Sequence, residues 1–110
     1  GRRDVTGADL FAEADDVVPG RIVFSGSMLY PPNVGAVLWF VERVWPTIRA
    51  QVPDATFVVQ GRDPAPAIVE LDGRENIWVT GTVPDVGVII RSAQVCVNPM
   101  IAAAAMSFLA

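Results

Sequence analysis

The stretch IVFSGSMLYPPNVGAVLWFVERVWPTIRAQVP, residues 22–53, decides the fold of this chain. It opens with the apolar run Ile22–Phe24, which is typical of a strand covered on both faces. A loop rich in glycine and proline follows, and Asn33 is a suitable N-cap for the helix after it. Apolar residues then recur three and four positions apart, as in an amphipathic helix, at Val37, Phe40, Val41, Val44 and Ile48. The stretch is therefore predicted to form a strand, a loop and a helix.

Three further strands are predicted after this unit. Pro46 lacks a backbone donor and is expected to kink or split the helix. The other strands are predicted at 56–60, 77–80 and 93–97, with short helices at 66–71 and 86–92, the second capped by Asp85. This alternation predicts an α/β fold, a Rossmann-like parallel sheet of about four strands with flanking helices. Residues 1–20 are predicted to be a leading arm or linker, and residues 21–110 a single partial domain.

The composition argues against several classes of function. The 110 residues contain no His, and the formal net charge is −4. Nucleic-acid binding is not expected, because it needs a basic stripe and the Arg residues here are scattered. Without His, neither a Ser–His–Asp triad nor a Cys/His metal set can form, and no metal or cofactor is predicted. No apolar run reaches the roughly 20 residues of a membrane span.

Two features of the sequence concern which apolar side chains are buried. The single cysteine, Cys96, lies in the apolar run AQVCVN and is predicted to be a buried strand thiol. A lone thiol of this kind fits a reducing, cytoplasmic location. The hydrophobic fraction of 52% is high for a small domain. It predicts an apolar surface that is covered by more chain or by a second copy in a homo-oligomer.

The candidate site lies beyond the carboxyl ends of the strands, where open parallel sheets bind their ligands. Loops are predicted there at 26–33, 61–66, 81–85 and 98–101, and three of them begin with glycine. Glycine lets a ligand or another backbone approach closely. The helix after the first loop is expected to offer free N–H groups to an anion. Neither GxGxxG after a strand nor GxxxxGK[ST] occurs, which argues against nicotinamide and P-loop sites.

Several of these motifs together resemble a known family, the family 4 retaining glycosyltransferases (glycosyl transferases group 1). The similarity covers roughly residues 21–100. It is carried by Phe24-Ser25-Gly26-Ser27, Pro32-Asn33, Trp39-Phe40, Pro53-Asp54-Ala55, Gly61 and the segment VTGTVPD at 79–85. Each motif is weak alone, and their combination in this order is specific.

The resemblance implies half of a GT-B architecture, the C-terminal domain that binds a nucleoside diphosphate sugar without a metal. The N-terminal acceptor domain of that architecture is missing from this chain. Gly26, Ser27 and their loop would lie near the diphosphate. The donor-binding residues near the base and ribose would be Gly61, Arg62, Gly81, Val83 and Pro84.

The sequence departs from the family in its tail, and no catalytic residue can be assigned. Similar proteins carry a Gly-rich, basic loop and two Glu spaced eight apart after the fourth strand. Residues 100–110, MIAAAAMSFLA, contain none of these and are predicted to be helical instead. The isolated chain is therefore expected to transfer no sugar.

Two other functions stay open. A noncatalytic, flavodoxin-like interaction module that dimerises is favoured by the missing carboxylates and the apolar composition. A nucleotide-sugar epimerase is less suited, since it needs catalytic carboxylates and a His. A response regulator is not indicated, because no acidic cluster ends the first strand.

Overall fold

Four strands and four helices alternate along the part of the chain that the computed structural model describes, residues 17–97 without the side chains of Val86 and Val88. The strands are β1 (Arg21–Ser25), β2 (Thr56–Gln60), β3 (Ile77–Thr80) and β4 (Val95–Val97). The helices are α1 (Pro31–Arg43), α2 (Trp45–Gln51), α3 (Pro66–Val69) and α4 (Val86–Arg91). Residues 1–16 of the arm predicted at 1–20, the predicted loop at 98–101 and the predicted tail helix lie outside the described residues.

The four strands form one parallel sheet in the order β3-β2-β1-β4. Ile22 in β1 is paired with Phe57 of β2 on one side and with Val95 of β4 on the other. The chain therefore builds outward from β1 to β3 and then returns to add β4 at the opposite side. This confirms the predicted Rossmann-like α/β fold, and the reversal of strand order falls between β1 and β4.

Side chains alternate between the two faces of the sheet, as the period of two along a strand requires. Phe24, Phe57 and Ile77 point into the larger core beneath α1, α2 and α3. Val23, Val58, Trp78 and Ile89 form the smaller core on the other face. Because both faces are covered, the central strands need apolar residues at consecutive positions, which explains the runs that predicted them.

The break between α1 and α2 falls at Val44, where the sequence predicted that Pro46 would split the helix. Pro46 has no N–H to donate to the preceding turn, and it is accommodated instead in the first turn of α2. The break turns Trp45 into the core, where it is fully buried and its Nε1 donates to the carbonyl oxygen of Glu75 at 2.9 Å. Its ring lies 5.6 Å from that of Phe57, between ring centroids.

The prediction that Cys96 is buried was wrong. Its thiol is exposed, and Val95 beside it keeps 51% of its surface. Among the described residues β4 lies at one edge of the sheet and pairs only with β1. An apolar run predicts a strand equally well at the centre or at the edge of a sheet. The sequence therefore did not reveal that the side chains of Val95 and Cys96 are exposed.

Candidate functional site

A cleft of about 480 Å³ opens at the carboxyl end of the sheet, between the loops that follow β1, β2 and β3. Five of the seven residues that the sequence predicted for the site line it: Gly26, Ser27, Gly61, Arg62 and Val83. The other two, Gly81 and Pro84, do not line it but flank the lining residues Thr82 and Val83 along the chain. Three separate stretches of sequence thus meet in one place, because parallel strands bring their ends to the same edge.

The loop after β1 is tied firmly to its surroundings. The N–H of Gly26 donates to the carbonyl oxygen of Gln60 at 3.0 Å, and the N–H of Ala65 donates to that of Met28 at 3.0 Å. The Met28 side chain is fully buried in the larger core. This wall of the cleft is therefore a fixed scaffold that is held by the loop after β2.

The N-cap of the helix after this loop lies three residues earlier than predicted. It is Tyr30, and Pro31 and Pro32 occupy the first turn of the helix. Asn33, predicted as the N-cap, lies inside the helix, and its Nδ2 donates to the carbonyl oxygen of Ser27 at 3.0 Å. Proline is well suited to the first helical positions, so the Pro-Pro pair marks the start better than the asparagine does.

This start also overturns the expectation that α1 offers free N–H groups to an anion. Pro31 and Pro32 have no N–H. The next two N–H groups, of Asn33 and Val34, both donate to the carbonyl oxygen of Tyr30, at 3.0 and 3.1 Å. An anion in the cleft must therefore be held by other donors.

The rim of the cleft carries two opposite charges on adjacent residues. Arg62 and Asp63 are both exposed, and Arg62 is the single cation among the described residues that line the cleft. Asp63 has a φ of 48°, in the left-handed region that Asp tolerates better than most residues. Its backbone turns the loop after β2 sharply at this point.

The floor of the cleft contains a polar pair that the sequence analysis missed. Gln60 lines the cleft and is only 7% exposed, and its Oε1 accepts a hydrogen bond of 2.6 Å from Oγ of Ser25. The two residues are partners in the register of β1 and β2. The available signal was a glutamine at the end of the apolar strand TFVVQ, where an aliphatic residue would suit the core.

Two other features are absent from residues 17–97. No group of three or more His, Cys, Asp or Glu residues is placed there to hold a metal ion. None of the helices described there combines the length and apolar character needed to cross a membrane.

The parallel sheet, its strand order and the cleft at its carboxyl edge define a Rossmann-like α/β domain. The family of glycosyl transferases group 1 matches residues 19–109. The chain therefore belongs to the glycosyl transferases group 1, which confirms that part of the resemblance. Neither a curated protein nor a solved structure matches the chain significantly.

Proposed function

We propose that this chain is the donor-binding, C-terminal domain of a family 4 retaining glycosyltransferase with GT-B architecture. The observation that carries the proposal is the meeting of Gly26, Ser27, Gly61, Arg62 and Val83 in one cleft. In a member of the glycosyl transferases group 1, a cleft at this edge of the sheet suits a nucleoside diphosphate sugar.

The diphosphate would lie between the loops after β1 and β2. Arg62 is the cation within this cleft that can neutralise it, and a guanidinium pairs well with phosphate oxygens. The N–H groups of Ser27 and Arg62 make no backbone hydrogen bond within residues 17–97 and are available as further donors. These two groups would donate the hydrogen bonds to phosphate that the N-terminus of α1 cannot donate.

The base and ribose would lie toward the loop after β3. Thr82 and Val83 line the cleft there, and the open backbone at Gly81 allows a close approach. Gly61 would contribute by holding the loop after β1 in place, and Pro84 by limiting the conformations of the loop after β3.

The parent enzyme would transfer a glycosyl group from the nucleoside diphosphate sugar with retention of configuration. Its acceptor would bind to the N-terminal domain of that architecture, with residues 1–20 as the connection and residues 21–110 as the partial donor domain. We assign no catalytic residue and propose that the 110-residue chain alone is inactive. A cytoplasmic location fits a nucleotide-sugar donor.

Calorimetric titration with UDP, GDP and their glucose and mannose conjugates tests the proposal. We expect saturable binding of at least one diphosphate, weakened by salt because Arg62 is exposed. Absence of binding to every ligand in the series would contradict the donor-domain assignment.

A noncatalytic interaction module that forms homo-oligomers is the second candidate, and the far end of the sheet favours it. An apolar groove of about 170 Å³ lies there, and it is lined in part by Val52 and Val95, which keep 46% and 51% of their surfaces. Sedimentation over a hundredfold range of concentration measures the association. A monomer at every concentration would exclude this candidate.

A further inference from the structure

Gln60 occupies an unusual place for a polar side chain. It is the last residue of β2, and 93% of its surface is covered, yet it lines the cleft. A buried carboxamide costs free energy unless its donors and acceptor are satisfied. Its position at the floor of the cleft therefore calls for an explanation other than packing.

The neighbouring Ser25 orients this carboxamide. The Ser25 hydroxyl donates to Oε1 at 2.6 Å, so one of the two lone pairs of the amide oxygen is already used within the protein. Within residues 17–97 no protein group accepts a hydrogen bond from Nε2, and Nε2 is not one of the fully buried polar atoms without a partner, so it is open to solvent. A carboxamide held in this way offers both N–H donors, and only one remaining lone pair of its oxygen, to whatever fills the cleft.

The charges around the cleft show which kind of acceptor suits these donors. Arg62, the single cation among the described lining residues, stands exposed at the rim with Asp63 beside it. A phosphate in contact with Gln60 would lose its hydration, and none of the described lining residues is a buried cation that could compensate for this loss. Burying the phosphate there would therefore cost free energy. A neutral oxygen meets no such penalty.

We propose that Gln60 is a specificity residue whose Nε2 donates a hydrogen bond to a neutral oxygen of the donor substrate, a nucleobase carbonyl or a hydroxyl, and not to its phosphates. This inference rests on the proposed donor-binding function. Ser25 acts as a positioning residue, since its hydroxyl fixes the amide.

The variant Gln60→Met tests the proposal, because it keeps an unbranched side chain of similar length and removes the donors. Calorimetry would compare the chain and the variant with the tightest-binding nucleoside diphosphate, its sugar conjugate and inorganic pyrophosphate. We expect the affinity for the nucleotide ligands to fall about threefold to tenfold, the usual value of one hydrogen bond. The affinity for pyrophosphate should stay within twofold.

The ligand series also separates the two sources of the neutral oxygen. An equal loss for the diphosphate and its sugar conjugate places the acceptor on the nucleoside, whereas a loss confined to the conjugate places it on the transferred sugar. An unchanged affinity for both, or an equal loss for pyrophosphate, overturns the proposal. If the unaltered chain binds no nucleotide at all, the proposed function fails, and this inference fails with it.

Thr80→Val is the matched control. Thr80 is paired with Gln60 in the register of the sheet and ends β3 at the same edge, but it does not line the cleft. Loss of the Thr80 hydroxyl should leave the affinities for the nucleoside diphosphate, its sugar conjugate and pyrophosphate unchanged.

A second readout does not depend on whether the variant folds. In the ¹⁵N-labelled chain, the side-chain NH₂ signals of Gln60 should shift on addition of the nucleotide sugar and stay in place with pyrophosphate. Signals that follow pyrophosphate equally, or that follow neither ligand, would show that Gln60 does not meet a neutral oxygen.

Discussion

The carbonyl oxygen of Gly26 lies against the Cα of Gly61, where any side chain of residue 61 would begin. A Cβ built on Gly61 would collide with that oxygen and would also lie 2.7 Å from Cγ of the buried Met28. Two neighbouring strands thus bring their loops into direct backbone contact at the cleft. The glycine at position 61 is explained by this contact between the two backbones, without any ligand.

Gly61→Ala is expected to destabilise the fold and to distort the cleft. Because Gly26 and Met28 are both held by hydrogen bonds, the loop can give way only by breaking them. We expect a loss of about 1–3 kcal/mol in the free energy of unfolding, as for other overpacked sites. Urea denaturation measures it. Gly35→Ala is the control, since no described atom lies within 4 Å of its added Cβ, and it should stabilise α1 by up to about 1 kcal/mol.

Gly81→Ala should show whether Gly81 is needed for the close approach of the donor, because the substitution is not expected to disturb the packing of the fold. No described atom lies within 4 Å of a Cβ at this position, so the free energy of unfolding should change by less than about 0.5 kcal/mol. If the donor passes close to this backbone, its affinity should fall severalfold, and titration calorimetry would detect the change. An unaltered affinity would remove Gly81 from the donor site.

Arg62→Gln should weaken diphosphate binding roughly tenfold at low salt, because it removes a charge-assisted hydrogen bond to phosphate. The difference from the unaltered chain should shrink as the salt concentration rises, since the side chain is exposed. Arg74→Gln is the matched control: Arg74 is also exposed but precedes β3, at the opposite edge of the sheet. Equal losses in the two variants would mean that only the net charge matters.

Trp45 should carry a large part of the stability of the larger core. It packs against Phe40 and Phe57 and donates to Glu75. Trp45→Ala should cost about 3–5 kcal/mol, the usual range for a buried Trp. Trp45→Phe keeps a ring but leaves the Glu75 carbonyl without its donor, and about 1–3 kcal/mol should be lost. Trp39→Phe, at a partly exposed position, should change stability less than either; a larger loss there would contradict this assignment of the core.

Asp85 should stabilise α4 as an N-cap. Its Oδ1 accepts from the N–H of Gly87 at 2.9 Å, as the sequence predicted. Asp85→Ala should cost about 1 kcal/mol, whereas Asp85→Asn should be nearly neutral because Asn caps equally well. The exposed contact of Asp85 with Arg91, at 4.0 Å, adds little. Thermal unfolding of both variants tests this, and an equal loss in both would assign the effect to charge instead.

The amino-acid sequence by itself determined the elements of this domain and their order. Strands β2 and β3 fall on the predicted residues, and the split at Val44 follows from Pro46. These signals succeed because they act within a few residues: apolar runs, a missing donor, a cap. The parallel sheet follows from the alternation of strands and helices, and the meeting of the glycine-ended loops follows from the parallel sheet.

Only the tertiary structure decided what those loops can do. It showed that Gly61 serves a backbone contact, that the first turn of α1 has no N–H to spare, and that Cys96 stands at an open edge. It also joined Ser25 to Gln60 across 35 residues of sequence. Such relationships depend on strand register and on the order of strands in the sheet, which bring together residues that no local pattern connects.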